Sequence, residues 1–110
     1  MIRQKNFAAI GAPAAGAGFT KSVTPSAASQ TLVLDANSLT KDENDCYVTN
    51  DSNSTCFVRF SIGADTAVLT DMPVRAGAAF PLSMGRADRV SVISTGTPTG
   101  TIYFTPGLGS

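Results

Sequence analysis

Histidine and tryptophan are both missing from this chain of 110 residues. Without histidine it lacks the side chain that most often acts as a general base and most often ligates transition metals at neutral pH. Without tryptophan, and with only two tyrosines and six phenylalanines, it has little with which to stack against sugar rings. Net charge is missing too: eight basic and eight acidic residues cancel, so no overall field draws the chain to nucleic acid or to an anionic membrane. No run of about 18 apolar residues suggests a membrane-spanning helix. Cysteine is scarce. Cys46 and Cys56 alone cannot complete a structural zinc site, and a catalytic thiol would have no imidazole beside it. These absences predict a chain that is not an enzyme, needs no cofactor, and meets neither nucleic acid nor membrane.

The length suits one domain with a modest core, and the composition divides it in two. Residues 1–30 are rich in Ala, Gly, Ser, Thr and Pro, carry Arg3, Lys5 and Lys21, and contain no acid. Within them "FAAIGAPAAGAGF", Phe7 to Phe19, has no charge and almost no side-chain bulk between its two phenylalanines. The first residues have the basic start of a signal peptide but no leucine-rich block, and read as the N-terminal arm of the mature chain. Ordering thirty residues costs on the order of 30–60 kcal/mol. Full burial of the arm's large apolar side chains, Ile2, Phe7, Ile10, Phe19 and Val23, returns only about 8–15 kcal/mol. An extended arm of this length reaches about 100 Å, against about 30 Å for the remaining domain. The expectation is therefore an extended N-terminal arm held by neighbouring subunits, with those five side chains as partner-binding anchors. Its small residues allow close backbone approach. The acids Asp35, Asp42, Glu43, Asp45, Asp51, Asp65 and Asp71 would suit a basic arm laid on a neighbouring copy.

Residues 31–110 alternate as strands do, with turn signals every eight to twelve positions. "TLVLD" (31–35), "DCYVTN" (45–50), "TCFVRFSI" (55–62), short pieces at Val68–Thr70 and Met72–Arg75, "AAFPLSM" (78–84), "DRVSVIST" (88–95) and "GTIYFTP" (100–106) are the candidates. Cys56, Val58, Phe60 and Ile62 are expected inward, and Phe57, Arg59 and Ser61 outward. The cluster "NDSNS" between the second and third strands offers short side chains that bond their own backbone, predicting a hairpin there. "GTPTG" predicts another before the last strand. Pro73 restricts its strand to an edge or a bulge. On one hairpin Cys46 and Cys56 could form a cross-strand disulfide if opposite each other; two small buried thiols are the favoured reading. The pattern predicts an all-β domain, an antiparallel β-sandwich of jelly-roll-like form.

Chemical motifs are few. "GAPAAGAG" lacks the Lys-Ser/Thr ending of a phosphate loop. Asp42, Glu43 and Asp45 match no calcium-loop spacing and read as a solvated loop. Asn50-Asp-Ser and Asn53-Ser-Thr fit the glycosylation pattern, yet a turn is their simpler use. The edge strands of so small a sandwich invite pairing with another chain.

From "CYVTNDSNSTCFVRFSIG" through "DMPVRAGAAFPLSMGRADRVSVISTGTPTGTIYFTPGLGS", the sequence resembles small β-sandwich virion proteins of tailed bacteriophages and prophages. The elements that carry the resemblance are Val48–Phe60, Pro73–Gly77, Val90–Thr95 and Gly100–Gly107, and residues 1–30 lie outside it. It implies a capsid decoration or cement subunit on the virion surface, assembled in the host cytoplasm. Such a subunit is homo-oligomeric, a dimer or trimer, and clamps the major capsid protein or other virion subunits. The family offers no catalytic residues. The alternative is a receptor- or glycan-binding module of a head fibre or tail, or a neck or tail adaptor.

Overall fold

The structure, a computed structural model, describes residues 8–9, 20–34 and 44–108, with the backbone alone at 8, 9, 44 and 108. The strands among them are β1 (Ala8–Ala9), β2 (Lys21–Val23), β3 (Gln30–Val33), β4 (Asn44–Asn50), β5 (Cys56–Ser61), β6 (Met72–Val74), β7 (Ala79–Gly85), β8 (Arg89–Ser94) and β9 (Ile102–Leu108). In one sheet β9 lies beside β4, and β4 beside β7, while β1 and β2 share the other edge of β9. The second sheet runs β3–β8–β5–β6. All pairings are antiparallel. From β2 onward only the β5–β6 connection stays within one sheet; every other connection crosses between them. That strand order is a jelly roll.

Alternation supplies the core. Cys46, Val48, Ile102 and Phe104 of the first sheet pack with Cys56, Val58, Val74, Val90 and Val92 of the second, and Leu34, Met84 and Ala87 join from the strand ends. The intervening positions turn outward, as the period of two in a strand requires.

Both expected hairpins prove to be crossings. β4 pairs with β7 and β9, whereas β5 pairs with β6 and β8, so "NDSNS" carries the chain from one sheet to the other. "GTPTG" does the same between β8 and β9. A turn-rich loop between two alternating runs looks alike in both cases; what separates them is whether the apolar faces lie side by side or face each other. The two crossings pack together. Asn53 N–H donates to Thr99 O, and Thr99 N–H to Asn53 Oδ1, both at 3.0 Å. Gly100, with φ of +96°, lies so close that a Cβ would stand 2.6 Å from Asp51 O. The strand expected at Val68–Thr70 is instead a turn, closed by Asp71 N–H donating to Val68 O. Ile62, expected inward, lies just past the end of β5 and is 75% exposed.

Three prolines mark sheet boundaries. Asn50 N–H donates to Ala78 O, which fixes the phase of the β4–β7 ladder and turns the Pro81 backbone outward. Pro73 stands opposite Phe57 on edge strand β6, as its missing N–H requires. Asp51 N–H donates to Thr101 O, so the even-numbered residues of β9 face β1 and β2, Pro106 among them. Ala9 faces Gly107 and Lys21 faces Phe104: twelve residues of the N-terminal segment advance three positions along β9. Pro106, with no N–H to offer, sits at that gap.

Candidate binding surfaces

Asn50 ends β4 completely buried, and its side chain is fully engaged. Its Nδ2 donates to Ser54 O at 3.0 Å and Val74 O at 2.8 Å. Its Oδ1 accepts from Ser52 N–H at 3.0 Å and Ser52 Oγ at 2.6 Å. Gly77 N–H donates to Asn50 O at 2.7 Å. One amide thus ties β4 of the first sheet to β6 of the second. This is the self-bonding turn chemistry expected of "NDSNS", serving a crossing, and it leaves the Asn50 amide no opening for a glycan. Asn53 of the second acceptor pattern is exposed.

The outer face of the second sheet is covered by its own chain. Residues 62–71 cross it. Thr31 Oγ1 and Ser91 Oγ donate to Asp65 O at 2.9 and 3.0 Å, and Ala67 N–H donates to Ser29 Oγ at 2.9 Å. Ser91, though outward, is therefore buried. The Arg59 guanidinium holds the loop from beneath, meeting Asp71 at 3.0 Å and Asp65 at 3.5 Å. Burial pushes the Asp71 carboxyl up, but the Val68 N–H and Arg59 outweigh it and hold it below its ordinary value. The loop presents Val68 and Leu69 to solvent.

The outer face of the first sheet differs. Tyr47 faces Thr105 and Thr49 faces Tyr103 across the β4–β9 ladder, so the two tyrosines are diagonal neighbours. They are 36% and 38% exposed. Ser22 extends the Tyr103 row, Pro81 the Tyr47 row, and the Thr20 and Thr105 hydroxyls share a hydrogen bond of 2.8 Å. These two rows carry aromatic rings and hydroxyls without charge. That Tyr103 stands beside Tyr47 needed the β4–β9 register.

Of the five expected anchors, Ile2, Phe7, Ile10 and Phe19 lie outside the described residues. Val23 sits on β2 opposite Ile102 and packs, half-buried, against the core of its own sandwich. The segment read as arm thus contributes β1 and β2 to the edge of β9, and residues 31–110 are joined in the sandwich by β2 and by Gln30.

Cys46 and Cys56 are buried free thiols on opposite sheets. Burial pushes Cys46 up to about 12, with a Thr105 main-chain bond opposing and the Asp45 charge adding. Burial raises Cys56 as well, against hydrogen bonds from Ser52 and Asn50. Neither is disposed to act as a nucleophile at neutral pH. Among the described residues no three His, Cys, Asp or Glu side chains gather as a metal site. Comparison with family models, curated proteins and solved structures finds no match to this chain.

Proposed function

We propose that this chain is a structural virion subunit of a tailed bacteriophage, a capsid decoration or cement protein that stabilises the major capsid protein shell as a homo-oligomer. A jelly roll by itself names no function, because many activities share it. The observation that carries the proposal is the broken edge of β9. The N-terminal segment meets β9 at Ala8–Ala9, meets it again at Lys21–Val23, and has nine residues more than the three ladder positions between those contacts require. That surplus includes Ile10 and Phe19, and with Ile2 and Phe7 it supplies the reach and apolar anchors of an attachment arm. The virion resemblance of residues 46–110 and the uncharged Tyr47–Tyr103 face support the same reading.

The test is occupancy on expanded capsids built from the major capsid protein of the same phage. The full chain is compared with a variant lacking residues 2–19, which keeps β2 on the sandwich. Loss of four anchors worth roughly 1.5–3 kcal/mol each is expected to weaken occupancy by tenfold or more. Equal occupancy would remove the arm from the mechanism. A second reading, a glycan- or receptor-binding module of a fibre or tail, has the diagonal tyrosine pair in its favour. Glycan-array binding lost on Tyr47→Ala and Tyr103→Ala, with no capsid binding, would establish it instead.

A further inference from the structure

The four sheet edges are not equivalent. On β6 and β7 the outward backbone positions include Pro73 and Pro81, which remove a donor and obstruct a further strand. β2 is three residues long and carries exposed Lys21, a charge of the kind that guards an edge. β3 has none of these guards: Gln30, Thr31, Leu32 and Val33 include no proline and no charge. Leu34 N–H donates to Asp88 O and Ser94 N–H to Ser26 O, which sets the phase of the β3–β8 ladder. Gln30 and Leu32 therefore direct their backbone groups to β8, and Thr31 and Val33 turn theirs away from the sheet. Both residues are exposed, Val33 at 54%.

We infer that β3 is a self-pairing edge: two copies of this chain join antiparallel through Gln30–Val33 about a twofold axis at Leu32. In that register Thr31 of each copy faces Val33 of the other. The N–H and C=O of both residues then exchange bonds with their counterparts, and no outward group of the edge is left unmade. The side chains of each facing pair are β-branched, a favourable cross-strand combination. An isologous interface needs such self-complementarity, and the formal net charge of zero places no long-range repulsion between copies. The two β3–β8–β5–β6 sheets fuse into one, leaving both Tyr47–Tyr103 faces uncovered. The inference stands whether or not the virion proposal holds.

The experiment is sedimentation equilibrium of the full chain from about 10 μM to about 1 mM, since so short a ladder gives a weak dimer. The mean mass is expected to rise from 11.3 kDa towards twice that value. Hydrogen exchange should slow at the Thr31 and Val33 amides as concentration increases. Val33→Pro removes a donor that β8 does not use, and Val33→Lys guards the edge with a charge should the proline variant fail to fold. Each is expected to weaken the dimer by roughly tenfold or more while the far-ultraviolet spectrum of the folded chain persists. A chain that stays at 11.3 kDa throughout, a dimer indifferent to both substitutions, or one whose Thr31 and Val33 amides remain unprotected would overturn the inference. Capsid occupancy reads the arm separately, so failure of either proposal is distinguishable from failure of the other.

Discussion

Along the β6–β7 flank of the sandwich, the buried Asn50 amide ties both sheets together, and Pro73 and Pro81 stand on the outward side of the two edge strands. Along the β2–β3 flank the tie is lighter. The half-buried Gln30 amide donates to Thr24 O at 3.0 Å and Ser26 Oγ at 2.9 Å, and the β3 edge beside it carries no proline or charge. One flank is closed by groups that have no water to fall back on; the other is held by groups that solvent could replace. Closure of the first lets a small domain stay folded. Openness of the second is what the β3 self-pairing inferred above would use.

The contrast breaks most sharply at Asn50. Asn50→Ala leaves Val74 O, Ser54 O and Ser52 N–H without their partner in a dry site, and is expected to cost about 3–5 kcal/mol. Urea denaturation measures it; a loss below about 1 kcal/mol would mean that water reaches the flank and that its closure is not what this amide supplies.

Alkaline titration probes the closed interior more gradually. Both thiols are raised in the folded chain, so folding favours their neutral form. Stability is full below the ordinary thiol value and declines as pH rises from about 9 towards about 12, the range over which Cys46 stays protonated only when folded. The slope from Cys46 alone is about 1.4 kcal/mol per pH unit. Cys46→Ser, tested by the same unfolding curves, should flatten it; an unchanged slope would place the alkaline loss elsewhere. Gln30, Thr24 and Ser26 have no group that titrates there, so the open flank should contribute nothing.

The smallest effect belongs to that open flank. Gln30→Ala deletes two hydrogen bonds within reach of water and is expected to cost about 0.5–1 kcal/mol. A loss as large as that from Asn50→Ala would erase the distinction between the flanks.

Much of this was legible before any coordinates. The alternation of Cys56 and Val58 named core positions, and Pro73 named an edge, because burial on one face and a missing donor are properties of the residues themselves. The self-bonding of Asn50 and Ser52 was legible as turn chemistry too. Its destination was not. A hairpin and a crossing use the same turn residues, and only the partners of β4 and β5 decide between them. Ile62 was misplaced for a related reason: alternation continued past the point where β5 ends.

What the chain determined alone, then, is its class: strands of period two, and prolines that cannot sit within a ladder. Tertiary structure decided the rest. It set which strands lie side by side, put Tyr47 and Tyr103 on one face, buried Ser91 beneath the 62–71 loop, and placed β3 at a sheet edge among the described residues. Each of these depends on register and sheet order, long-range pairings whose free energy is shared among many residues and written in none of them singly.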